Sequence, residues 1–268
     1  MWRRYSAFDD LASSTMSETE TAYMRIFMTL TRRHSDTQTF RRLVSAGEPL
    51  ASARASAEDA RLVTAILADP DFDKYFLGRH KAVEFFGGPE ALRASLTQDK
   101  VSTLRRIVDT ASIVLMHSAL DAALTDLCRI AALLRPSDWE PFLERQQVPL
   151  ASVKSEPYSA LLNAKLNAHL DALERDSLLK RSDVLFAICH PPAGYTPLNG
   201  YAWDRAELER LDGLRHDLVH GRLDGQALTD VEKNIEFLVK TGLFFWSMLH
   251  DTYGVKVDPL WMLRDGTK

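Results

Sequence analysis

Within nine residues, Leu214-Arg215-His216-Asp217-Leu218-Val219-His220-Gly221-Arg222, the chain gathers two histidines, two arginines and an aspartate. Helical spacing puts Leu208, Leu211, Leu214, Leu218 and Val219 on one apolar arc, with Arg215 inside that arc instead of opposite it. A guanidinium so placed requires an anion, and its planar fork suits a carboxylate of the protein or a phosphate of a ligand equally well. Gly221 stands where a left-handed C-cap residue belongs, so His220 falls in the last helical turn. The negative end of the helix dipole favours an imidazolium there by about 0.3–2 kcal/mol, which equips His220 to take and give protons near neutral pH.

Two blander chemistries compete for the same residues. Arg215 paired with a carboxylate, and both histidines merely finishing a helix, would be purely structural. His216-Asp217-Leu218-Val219-His220 also sets two histidines four apart with an acid between them, as zinc hydrolases do. Asp217 is shorter than the usual glutamate base, Gly221 would stop the helix at the second ligand, and no third ligand has a diagnostic spacing. His190 and His250 would join only if folding brought them in. The zinc reading therefore ranks last, and no metal or cofactor is expected.

The elements that must hold this cluster all read as helix. Apolar residues recur at three and four positions, and alternating β-branched runs are missing. Expected helices span Ser17 to Arg33, Ala57 to Leu67, Pro89 to Leu96, Ser102 to Leu134, Ser159 to Lys180, Asp204 to His220 and Asp230 to Tyr253. Turn signals at Gly47-Glu48-Pro49, Asp69-Pro70 and Gly87-Gly88-Pro89 divide the first third. Capping boxes at Ser17/Glu20, Ser137/Glu140, Asp204/Glu207 and Thr229/Glu232 mark helix starts. From Ser102 onward, four long helices and one long Pro- and Gly-rich connection, Ile188 to Tyr201, make a helix bundle. The expected organisation is all-α: a helical amino-terminal region over 1–100 of unassigned role, the bundle over 101–256, and a tail over 257–268.

Arg215, the polar His216 beside it, four residues between Arg215 and His220, and the Leu-Val-His-Gly ending on the penultimate helix together resemble the HEPN superfamily. These are helical bundles of which many are metal-independent ribonucleases. Arg210 and His216 also stand at a family spacing, and their surroundings decide between the two pairs. The resemblance covers Ser102 to Tyr253 and implies a HEPN-like four-helix bundle. It further implies a homodimer in which two motifs face one another across a cleft that cuts RNA, in a toxin or anti-phage setting with a possible antitoxin or defence partner. It implies His220 as general acid or base on the ribose 2′-hydroxyl and Arg215 as the stabiliser of phosphoryl charge, with no metal because RNA supplies its own nucleophile. His216 would orient the pair or touch phosphate, Asp217 and Arg222 would support it, and Asp121 on the central helix resembles the acid many members hold there. One branch, silenced by adenylylation, carries tyrosine two residues after the motif histidine; Arg222 stands there instead. Some members bind nucleotides without cleaving, so a non-catalytic nucleotide- or protein-binding module is the alternative.

Composition agrees with a folded protein. With 268 residues, 46% of them hydrophobic and 26% charged, dominant disorder is excluded, and a net charge of -4 makes any anion site a local one. Cys128 and Cys189 cannot staple a chain of this size, which points to a reducing cytoplasm. The opening MWRRYSAFDD has no apolar stretch behind its arginines, so no secretory signal is expected. Ala111 to Met116 and Thr241 to Leu249 are broken by charge or histidine short of the roughly 18 residues a membrane span needs, and read as core. Phe244, Phe245 and Trp246 read as core as well, and Arg32-Arg33 and Arg41-Arg42 as solvated faces.

Overall fold

The computed structural model describes residues 18–69, 83–143, 157–197, 200–201, 203–223 and 228–255, and every regular element among them is helical. In chain order these are α1 (Glu18–Ala68), α2 (Pro89–Leu134), a 3₁₀ turn (Pro136–Trp139), α3 (Glu140–Leu143), α4 (Tyr158–Leu173), α5 (Leu178–Cys189), α6 (Arg205–Val219) and α7 (Val231–Tyr253). The Ser17 cap and the 257–268 tail lie outside the described residues.

α2 is the hub, packing against α1, α4, α5, α6 and α7. Ile113, Met116, Leu120, Leu124 and Leu127 are all completely buried, so its middle is apolar nearly all round, as a central bundle helix must be. By length and composition it also contains an 18-residue window apolar enough to cross a membrane, 44% of which is buried inside the bundle. Pro136 ends α2 as expected.

The first two expected helices are one, while the break at Gly87-Gly88-Pro89 is present. One continuous helix of 51 residues runs through Gly47-Glu48-Pro49, where proline chemistry predicts a stop. Tertiary pairing overrides the local preference. The Glu48 carboxylate accepts both Arg105 Nε and Nη2 at 2.5 Å, Arg41 meets Asp109 at 3.1 Å, and fully buried Asp59 accepts from Thr97 Oγ1 at 3.0 Å and from Lys100. Ascending positions on α1 meet descending ones on α2, so the two helices are antiparallel. The same contacts explain why α2 continues through Thr97 to Val101, where separate helices were expected, and why Arg41 belongs to an interface and not to a solvated face.

Residue 101 lies within α2, and the amino-terminal Tyr23, Met24, Ile26 and Leu30 join the same core as α2 and α7. Trp246 Nε1 donates to the Tyr23 carbonyl at 3.0 Å, Tyr23 Oη donates to the Trp246 carbonyl, and the rings stack at 4.6 Å. Phe244, Phe245 and Trp246 are buried, as expected.

Two further corrections set the site's geometry. The helix expected from Ser159 to Lys180 breaks after Leu173, and α5 restarts behind Ser177, whose Oγ accepts from Lys180 N at 3.3 Å. Of the described capping boxes only Asp204 caps, accepting from Ala206 N and Glu207 N. The Ser137 and Thr229 side chains do not, because the chain enters those elements through Arg135 and a left-handed Asp230.

Candidate functional site

α6 owes its pose to Leu208 and Leu211, both completely buried, with Leu214 and Leu218 half-buried behind them. Val219 departs from the expected arc and is 50% exposed. There the helix closes as a Schellman motif: Gly221 N–H donates to the Leu218 carbonyl at 3.3 Å and Arg222 N–H to the Asp217 carbonyl at 2.9 Å, with Gly221 at φ 67°. The glycine is required by that positive φ. His220 is the C-cap residue, and its exposed ring lies 4.4 Å from that of His216, one turn earlier, with the planes inclined by 57°.

On the bundle side of α6 is a cavity of about 260 Å³ whose walls come from three helices. α2 contributes His117 and Asp121, the start of α5 contributes Ser177 and Arg181, and α6 contributes Asp212, Arg215 and His216. The expected Arg215, His216 and Asp121 are thus brought together. His220 stands outside the lining, in contact with it through His216. Asp217 and Arg222 pair with each other at 3.2 Å on the exposed side.

How the acids are distributed decides what Arg215 can do. Arg181, only 2% exposed, donates to the Asp121 carboxylate, to the Glu174 carbonyl at 2.7 Å and to Thr125 Oγ1 at 3.3 Å. His117 Nε2 lies 2.9 Å from Asp212 Oδ1. Hydrogen bonding from His117 holds the Asp212 carboxyl below its usual range, helped by the charges of Arg215 and Arg181 and opposed by burial. Arg210, the rival in the alternative spacing, is consumed by Glu207 and by Asn234 at 2.6 Å. Arg215 is half-buried and forms no ion pair among the described residues, and its Nε is buried without a hydrogen-bond partner. A planar cation in a cavity wall, with Asp121 and Asp212 already bound elsewhere, can accept an oxyanion from outside the chain.

Asp212, His117 and Arg181 escaped the reading of the sequence. A signal existed for the first two: Asp212 precedes Arg215 and His216 by one turn, and His117 precedes Asp121 by one turn, so each shares a helix face with an expected site residue. Arg181 carried none, because the break before α5 sets its direction. His117 is a hydrogen-bonded interior histidine, whereas the Nε2 of His169 is buried without a partner against Trp139 and Phe142.

Among the described residues no three His, Cys, Asp or Glu side chains converge as a metal-ligand set. Cys128 and Cys189 are free and buried, their thiols pushed up to about 12 by burial. Compared with protein-family models, curated proteins and solved structures, the chain matches none.

Proposed function

We propose that the chain is a metal-independent endoribonuclease with a HEPN-like bundle, cleaving RNA by attack of the ribose 2′-hydroxyl on the adjacent phosphodiester. The observation that carries this is Arg215, without an ion pair in the wall of a cavity beside two touching imidazoles. The structural alternative required an acid on Arg215, and two of the three cavity aspartates, Asp121 and Asp212, are bound to Arg181 and His117 instead.

In the proposed reaction His220 removes the 2′-hydroxyl proton, O2′ bonds to phosphorus, and the bond from phosphorus to the 5′ oxygen breaks. Arg215 stabilises the charge that develops on the non-bridging oxygens. The products are a 2′,3′-cyclic phosphate and a 5′-hydroxyl. Ile107 and Val219, 57% and 50% exposed, line an apolar groove of about 380 Å³ on the other flank of the α6 terminus. They support a homodimer that brings two motifs to one cleft. A toxin or anti-phage role in the cytoplasm, with a cognate antitoxin or defence partner, rests on the family resemblance.

The test is incubation of the purified protein with RNA, with and without EDTA, beside Arg215→Ala and His220→Ala. The expected result is cleavage that survives chelation, leaves 2′,3′-cyclic phosphate ends and falls about 10²-fold or more in each variant. Cleavage abolished by EDTA would indicate a metal hydrolase; nucleotide binding without cleavage would indicate a binding module.

A further inference from the structure

We infer that an exposed face of α1 is a self-association surface, on which α1 of a second copy of this chain lies antiparallel, centred between Leu43 and Gly47. The inference stands apart from the ribonuclease reading, because this face takes no part in the site around Arg215.

Asp36, Phe40, Leu43, Gly47, Leu50 and Arg54 follow one another at intervals of four and three, so they form one stripe along α1. Arg41, Glu48 and Asp59, which meet α2, lie on a different face. Phe40 is 49% exposed, Leu43 67% and Leu50 77%, and Gly47 is exposed between them. Single apolar side chains on a solvated helix are ordinary. Three large ones in one stripe, closed at each end by a charge, make the seam of a coiled coil that lacks its second strand among the described residues. Gly47 is the second observation. Its φ is not positive, and a Cβ there would meet nothing within 4 Å. Nothing among the described residues requires a glycine at this place, although inside a helix it costs about 1 kcal/mol relative to alanine.

The charges select the occupant and its direction. A parallel second copy would set Asp36 against Asp36 and Arg54 against Arg54, and would leave a gap between two glycines. Turned antiparallel, the same stripe is complementary throughout. Phe40 faces the partner's Leu50, Leu43 enters the space left open at the partner's Gly47, and Asp36 faces the partner's Arg54. The two-fold axis repeats each contact. Intrahelical pairs of Arg32 with Asp36 at 3.8 Å and of Arg54 with Glu58 at 3.4 Å bring one more cation and one more anion to each end, where the four charges alternate in sign. The stripe from Asp36 to Arg54 is about 27 Å of a single helix, less than the interface a stable dimer needs. The contact is therefore weak and joins copies at raised concentration, without displacing a partner from the apolar groove beside α6.

Disulfide capture tests both the pairing and its direction. In the antiparallel register position 40 meets position 50 of the partner, whereas each stands on the order of 15 Å from its own counterpart, too far for a disulfide. Full-length Phe40→Cys protein is mixed with full-length Leu50→Cys protein under mild oxidation, and linked dimers are read on non-reducing gels and by peptide mass spectrometry. The native Cys128 and Cys189 are buried. The expected result is a disulfide between positions 40 and 50 in the mixture and none in either variant alone. Adding Asp36→Arg to both proteins is expected to slow the linkage about three- to tenfold, and adding Arg54→Asp as well to restore it. All four substituted residues are exposed, so the fold tolerates the changes, and an unchanged helical circular-dichroism spectrum verifies it. No mixed disulfide, linkage as fast in one variant alone as in the mixture, or a rate indifferent to Asp36→Arg overturns the inference. Each of those results leaves the ribonuclease reading standing, which is decided by RNA cleavage in the parent.

Discussion

Arg215, Arg181 and His117 all reach the same cavity, yet only Arg215 is free, and the difference lies in which carboxylate each can touch. Asp121 and Asp212 act as sinks that satisfy the two inner donors and leave the outermost for a ligand. Asp212 thereby fixes His117 in a chosen pose at the back wall. Its depressed carboxyl titration has a definite sign: the stabilisation is complete above the unfolded carboxyl value near pH 4 and is lost as pH falls through the lower folded value. Asp212→Asn should cost about 1–2 kcal/mol at pH 7, since it replaces a charge-assisted hydrogen bond in a partly exposed place. Urea unfolding followed from pH 7 down to pH 2 should show the two proteins converging in acid. A gap that stays constant across that range would mean the carboxylate contributes nothing through its charge.

At the level of elements, close approach of α1, α2 and α7 depends on Gly242. A Cβ there would stand 2.7 Å from Leu30 Cδ1 and 3.3 Å from Leu120 Cδ1, and both leucines are completely buried, so they would have to repack. Gly242→Val should therefore destabilise the fold by about 1–3 kcal/mol despite valine's better helix propensity, measurable as a lower urea midpoint at unchanged slope. A variant as stable as the parent would mean that the three helices are not clamped there. The break between α4 and α5 matters in another way: it turns Arg181 inward, where its donation to the Glu174 carbonyl ties the end of one helix to the start of the next. Without that break Asp121 would have no inner partner and would be available to Arg215.

For the whole molecule, the exposed apolar side chains beside the α6 terminus bear on assembly. Ile107→Asp combined with Val219→Asp leaves the core untouched, since both are half or more exposed, and a charge at each would oppose burial against a second copy. The parent should sediment as a dimer and the double variant as a monomer with little or no cleavage. A parent that is monomeric, or a double variant that stays dimeric and active, would remove the composite cleft from the proposal. The amino-terminal helix enters at this scale too. Through Tyr23 and Trp246 it is built into the core with α7, so removing it would take completely buried side chains from the bundle.

The cluster from Arg215 to Arg222, the α6 span from Asp204 to Gly221 and the central apolar run of α2 were all legible in the sequence. Each depends on residues a few positions apart, whose helical periodicity and cap chemistry act locally. Continuity of α1 through Pro49 was not legible, because it depends on Glu48 meeting Arg105 across 57 residues of chain. The freedom of Arg215 was equally hidden, for it follows from where Asp121 and Asp212 send their charge. Local pattern determines that a helix forms and what side chains it carries. Which acid neutralises which base is a competition among groups far apart in the chain, and only packing in three dimensions sets its outcome.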